Sequence, residues 1–477
     1  MTTIKPSQSA DIATPDWVKQ AVFYQIYPDR FARREAPAPL GVKFKPWGTP
    51  AEQQGFQGGD LYGVIDKLDY LQQLGITAIY LCPIFRSASN HRYHTFDFMQ
   101  VDPLLGGNQG LRELLDEAHR RDMKVVLDGV FNHASRGFWP FHHILECGGD
   151  SPYIDWFKIQ DWPLNPYPSN ADEPTNYAAW WDLPALPQFN HSNPGVRQYI
   201  YDVAKFWLEF GIDGWRLDVP YEIDDDEFWR GFRDVVKTAN PDAYICGEVW
   251  EKAQRWLQGD MFDATMNYTF CWASLSYFGA HTLNGYQRNH LTLEPLDSKG
   301  FQQVINQMHG WYDWQINFAQ LNLLGSHDMA RPLWILSEDK AALKLCWLFM
   351  MTMPGAPCIY YGDEIGMSSA DDPYCREAYP WHAPEQQDNN MAAQLTTLIQ
   401  LRKQYPTLAT GDFCFQQSDD NVLRYQRSSQ HQTLQVAINR SNTAQPLQID
   451  DANIVYGELN DGYLPAQSGV VLLLNKG

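Results

Sequence analysis

The sequence predicts an α/β protein built on a (β/α)8 TIM barrel, with a long excursion after the third strand and a C-terminal all-β sandwich. Three observations predict it. From residue 21 to about 365 short β-rich runs alternate with helical patterns, eight such runs can be counted, and after residue 405 strand patterns continue alone. At 477 residues, one barrel with appendages accounts for the length. The expected organisation is an N-terminal extension over 1–20, the barrel over 21–133 and 193–405, the excursion over 134–192 and the sandwich over 406–477.

The eight runs are AVFYQIYP from Ala21, ITAIYLCP from Ile76, KVVLDGVFN from Lys124, GWRLDV from Gly214, AYICGEV from Ala243, ATMNY from Ala264, LNLLGSHD from Leu321 and CIYYGDE from Cys358. One intervening helix is well marked. Asn193 and Pro194 form an N-cap and first-turn pair, then Tyr199, Ile200, Val203, Phe206, Trp207 and Phe210 recur at helical spacing until Gly211 stops the pattern. Residues 134–192 are instead rich in Pro, Trp and Asn with no sustained period, so they read as a loop excursion from the barrel top. Their aromatic content predicts a packed subdomain. Beyond Leu408 the runs NVLRYQR, TLQVAIN and GVVLLLN, separated by Ser, Asn, Asp and Gly, predict a small all-β domain.

A formal charge of -21 and a pI near 4.9 argue against a nucleic-acid backbone or an anionic membrane surface as partner. A neutral substrate fits better. Aromatics make up 14% of the chain, including 18 Trp and 25 Tyr, and such flat side chains suit stacking on sugars or bases, although most of them read as ordinary core. The N-terminus shows no apolar stretch of the secretory kind, so a cytoplasmic location is expected. The longest apolar run, LCWLFMMTMPGAPCIYY, is broken by Pro354, Gly355 and Pro357, so no membrane span is expected. Eight Cys without CxxC pairs read as buried reduced thiols.

Dinucleotide, P-loop and HExxH motifs are absent. GSHD, Gly325 to Asp328, spells a Ser-His-Asp set, but neighbours on a strand face opposite ways and cannot form a relay. His142 and His143 lack metal-ligand spacing. What stands out is polar residues at the ends of barrel strands: Asp128, Asn132 and His133 on the third, Arg216 and Asp218 on the fourth, Glu248 on the fifth, His327 and Asp328 on the seventh. Three carboxylates, an arginine and two histidines at one barrel mouth suit glycoside hydrolysis, in which one carboxylate attacks and another donates a proton. Arg216 beside Asp218 is expected to keep that carboxylate ionised, and neighbouring carboxylates to raise Glu248. Of the acids that follow, Asp224 to Glu227 read as an N-cap and negatively charged first turn. Glu222 is equally a sugar contact or a solvated carboxylate.

These residues resemble the α-amylase superfamily of glycoside hydrolases over essentially the full length. DGVFNH (from Asp128), GWRLDV (from Gly214), GEVW (from Gly247) and GSHD (from Gly325) look like its four principal signature regions, in order, and FQGGDLYGV (from Phe56) and YYGDEIGM (from Tyr360) match two more. NHRYHTFDF (from Asn90), GDMFDATMNY (from Gly259) and DDPYCR (from Asp371) look most like the cyclomaltodextrinase, neopullulanase and maltogenic amylase group. The resemblance implies Asp218 as nucleophile, Glu248 as general acid/base and Asp328 as transition-state stabiliser. It implies that Arg216, His133 and His327 bind the sugar at the cleavage subsite, that Tyr93 stacks on it, and that Trp250, Asp372 and Arg376 contact neighbouring sugars. The implied partners are α-glucan oligosaccharides, without nucleic acid, membrane or cofactor, the protein acting as monomer or homodimer. The group usually carries an N-terminal β-domain, whereas here the barrel begins near Ala21. The calcium-binding segment of some relatives is replaced by ARREAPAPLGVKFKPWG, which does not support calcium, and the group's fifth region, usually like MPKLN, reads LPALPQFN from Leu183. The implied activity is retaining hydrolysis of α-1,4 bonds in cyclodextrins, maltooligosaccharides and pullulan or starch, with transglycosylation; an α-1,6-acting debranching enzyme is the alternative, and a non-catalytic accessory barrel a more remote one.

Overall fold

A computed structural model describes residues 12–34, 41–170, 173–288, 291–449 and 451–475. The expected N-terminal extension therefore falls partly outside the described residues, as does the segment weighed for calcium. Eight strands form the barrel: β1 (Phe23–Ile26), β2 (Ala78–Leu81), β3 (Lys124–Gly129), β4 (Gly214–Leu217), β5 (Tyr244–Gly247), β6 (Ala264–Asn267), β7 (Leu321–Leu323) and β8 (Ala356–Tyr360). Each pairs in parallel with the next, and β8 closes on β1 through Phe23 opposite Cys358. Strands covered on both faces need apolar side chains throughout, and apart from half-buried Lys124 every strand residue here is buried.

β8 begins two residues earlier than the sequence reading placed it, at Ala356, and contains Pro357. The Ala356 N–H donates to Gln320 O on the β7 side, so the next nitrogen along the strand faces β1. Pairing with β1 starts only at Cys358. Pro357 thus lacks an N–H where no ladder bond is required.

The helix Pro194–Phe210 between β3 and β4 is capped as its sequence predicts, the Asn193 side chain accepting from Gly195 N and Val196 N while Gly211 ends it at φ 115°. Among its described residues the irregular segment before it holds one α-helix, Trp139–Cys147, and packs on its own aromatics. Phe141 meets Phe157 edge-on at 5.0 Å, and Phe157 stacks on Phe189 at 5.5 Å. After β4, the helix Asp226–Ala239 is capped by Asp225, which accepts from Phe228 N, with Asp226 and Glu227 in its first turn. Asp224 is not part of that start. It lies outside the helix and pairs with Arg255 at 2.6 Å, because Asp225 takes the capping position.

At the C-terminal end β9 (Asp412–Phe415), β10 (Val422–Ser428), β11 (Thr433–Asn439), β12 (Ala452–Tyr456) and β13 (Ser468–Leu474) form an antiparallel sheet, in the order β9-β10-β11-β13-β12. Period-two alternation gives it two apolar faces. Leu423, Tyr425, Val436, Ile438 and Val471 join the barrel core, while Val422, Ala437, Val470 and Leu472 close on Leu447 and Leu464 behind it. A buried arginine of the sheet crosses the junction, Arg427 donating to Thr352 O of the barrel and to Gly411 O, while Arg402 braces the barrel side through Met351 O, Met353 O and Gly355 O. Six of the eight cysteines are buried free thiols, with Cys414 half-buried and Cys147 exposed.

Candidate active site

Functional groups of a barrel come from the C-terminal ends of its strands. There the side chain of Arg216 in β4, 1% exposed, is the hub. Its Nη1 donates to both oxygens of Asp128 at 2.9 and 3.0 Å and to Asp218 Oδ1 at 3.1 Å. Its Nη2 lies 2.9 Å from Glu248 Oε2, an ion-pair distance without hydrogen-bond alignment. One guanidinium therefore reaches three buried carboxyls.

Glu248 is fixed by two N–H groups, Val219 N at 3.0 Å to Oε2 and Trp250 Nε1 at 3.0 Å to Oε1. The first depends on strained backbone. Val219 follows Asp218 with φ 37° and ψ 50°, a left-handed conformation that a β-branched residue adopts only under constraint. Trp250 in turn lies flat on Tyr268, ring centroids 3.8 Å apart.

A second chain of contacts starts at Asp128. Tyr80 OH donates to its Oδ2 at 2.8 Å and Tyr93 OH at 2.9 Å. Tyr93 OH also meets His327 Nε2, and since its only proton goes to Asp128, His327 must donate. Gln25 Nε2 donates to His327 Nδ1 at 2.7 Å, which leaves the His327 proton on Nε2 in agreement. His327 Nε2 is 3.2 Å from Asp328 Oδ2, and Arg376 Nη2 holds Asp328 Oδ1 at 3.2 Å and reaches Asp372 Oδ2 at 3.6 Å. Asp372 also accepts from Arg288 at 3.3 Å.

Burial sets the electrostatics. It pushes Asp218 well up, and Glu248 and Asp128 up as well, with Arg216 opposing in every case. Arg216 lowers Asp218, as expected, yet the net direction is upward. The contact exists, but one positive charge divided among three carboxyls does not outweigh their loss of water. Burial also holds both histidines neutral, His133 down at about 3 and His327 well below its ordinary value.

Nine of the ten residues singled out from sequence lie in this connected network. The tenth, His133, stacks on Trp180 at 5.2 Å, takes a contact from Asn132 Nδ2 at 3.3 Å on Nδ1, and leaves its buried Nε2 without a partner. Glu222 is exposed in the turn Pro220–Glu222. Gln25, Tyr80 and Arg288 were missed, and Asp128 was named without a role. The usable signal was a lone polar side chain inside an apolar strand, as with Gln25 in AVFYQIYP.

The sequence model described as Alpha amylase, catalytic domain, matches residues 25–396. The chain belongs to the alpha-amylase family of glycoside hydrolases. Among similar family members, the cyclomaltodextrinase of Geobacillus thermopakistaniensis (strain MAS1) is 44% identical over 446 residues, 91% of this chain and 72% of that one. The debranching enzyme from Nostoc punctiforme is 44% identical with a TM-score of 0.87, covering 97% of this chain and 99% of its own. The cyclic alpha-maltosyl-(1→6)-maltose hydrolase from Arthrobacter globiformis, in complex with cyclic alpha-maltosyl-(1→6)-maltose, is 34% identical with a TM-score of 0.85, covering 97% and 100%.

Proposed function

We propose that this family member is a retaining α-glucan hydrolase that cuts α-1,4 bonds in cyclodextrins, maltooligosaccharides and pullulan. The observation that carries the reading is Arg216 reaching Asp218 and Glu248 with its two terminal nitrogens, in hydrogen-bond geometry to Asp218 and not to Glu248. Asp218, the carboxyl of the two that Arg216 hydrogen-bonds, attacks the anomeric carbon as its carboxylate. Glu248 gives its proton to the leaving oxygen. The glycosyl bond to Asp218 is then broken by water, whose proton returns to Glu248, or by a sugar hydroxyl, which gives transglycosylation. Asp328, anchored by Arg376, faces the positive charge that develops on the sugar. His133 offers its free Nε2–H to a sugar hydroxyl, and Tyr93 its ring. Trp250, Asp372 and Arg376 contact the flanking units.

The near-complete mutual coverage with the Nostoc debranching enzyme supports a second reading, hydrolysis of α-1,6 bonds. Incubation with pullulan separates the two: panose follows from α-1,4 cutting and maltotriose from α-1,6 cutting. Asp218→Asn removes turnover in either case. The reading places the enzyme in the cytoplasm as a monomer or homodimer, which cell fractionation and sedimentation test. No helix among the described residues is long and apolar enough to cross a membrane.

A further inference from the structure

We propose that a groove beside the carboxylates, walled by Trp250, Trp272 and Trp311, is a second α-glucan-binding surface that holds glucosyl units remote from the bond being cut. The inference rests on the α-glucan reading above. A cavity of about 600 Å³ lies between the helices Tyr268–Phe278 and Ser298–His309 and the segment 291–296. That volume is in the range of small-molecule sites, roughly 300 to 1,000 Å³.

Its wall shares two residues with the network around the carboxylates. Trp250 belongs to both, donating to Glu248 at 3.0 Å, and Arg288, also in the wall, holds Asp372 at 3.3 Å. Trp272 stands one helical turn beyond Tyr268, and its ring lies within 25° of the Trp250 plane at 6.1 Å. Trp311 lines another part of the wall, with Lys252 Nζ 5.8 Å from its ring. All three indoles are half-buried. Half-open indoles gathered in one apolar concavity mark a binding face rather than a core. Sugar rings present C–H faces to indoles and hydroxyl edges to charged rim groups such as Lys252 and Glu294. A neutral glucan also meets no repulsion from a chain of net charge -21. The occupant is the distal part of the same glucan that crosses Asp218 and Glu248.

The test compares kcat/KM for maltotriose and maltoheptaose in the full chain and in Trp272→Ala and Trp311→Ala. Each variant is expected to lose about tenfold on maltoheptaose, through KM, while maltotriose changes by less than about twofold. The retained maltotriose rate shows that the variant has folded. Equal losses on both substrates, or no loss on maltoheptaose, overturn the groove. So does a change in sedimentation with the length ratio intact, which would assign the groove to a second copy of the chain. A parent enzyme that neither binds nor cleaves maltoheptaose overturns the α-glucan reading and the groove together.

Discussion

Arg216 brings one positive charge to Asp128, Asp218 and Glu248, all of them raised by burial, so this cluster keeps a proton to higher pH than solvated carboxyls would. Retaining chemistry needs that proton on Glu248 and not on Asp218, so kcat/KM should follow a bell whose limbs both lie above the usual carboxylate range. Trp250 supplies a sharper test. Its N–H stabilises the ionised form of Glu248. Trp250→Phe removes that donor, favours the protonated form, and is expected to move the alkaline limb of the kcat/KM profile to higher pH. A limb that stays in place would mean that Glu248 does not set it. The sequence made legible the residues that contradict their surroundings, such as acids closing apolar strands. Tyr80 was hidden for the opposite reason, since a tyrosine in an apolar strand is ordinary until its hydroxyl is found on Asp128. The direction of the Asp218 shift was hidden too, because it depends on how many partners share Arg216.

Regular elements were read well where local rules and burial agree. The barrel strands are short apolar runs bounded by turns, and the helix Pro194–Phe210 has both cap residues in its sequence. Asn193→Ala removes the side chain that accepts from Gly195 and Val196, and is expected to lower the unfolding free energy by about 1 kcal/mol, read as a lower urea midpoint. An unchanged midpoint would show that tertiary contacts alone fix that helix. The failures have physical causes. Asp224 and Asp225 are indistinguishable by letter, and only the backbone geometry decides which one caps. The segment between β3 and this helix has no period because its shape comes from ring-to-ring packing and isolated bridges such as Phe157 with Phe189. The left-handed Val219 leaves no trace in the sequence, since a valine nearly always signals extended backbone.

At the scale of the whole molecule, barrel and C-terminal sheet share one core, and buried histidines make it sensitive to acid. His309 lies between Trp314 and Phe413, each at 5.3 Å, with its Nδ1 buried and unpartnered, and burial lowers it to about 3. The unfolded chain binds a proton there below about pH 6.5 and the folded chain does not, so stability falls as pH drops from there toward 3. At pH 5 this amounts to about 2 kcal/mol. His309→Phe is therefore expected to shrink the difference between urea midpoints at pH 7 and pH 5, and an unaltered difference would mean that other groups dominate. The architecture was legible because eight alternating units in a chain of this length have few other solutions. The docking of the final sheet was not, because Arg427 reaches only backbone carbonyls, which no sequence pattern displays. The double displacement through Asp218 is the central claim, and the configuration of the first-formed product tests it most directly. Proton NMR of early maltooligosaccharide hydrolysis should show the new reducing end appearing as the α-anomer before mutarotation. First appearance as the β-anomer would contradict the account.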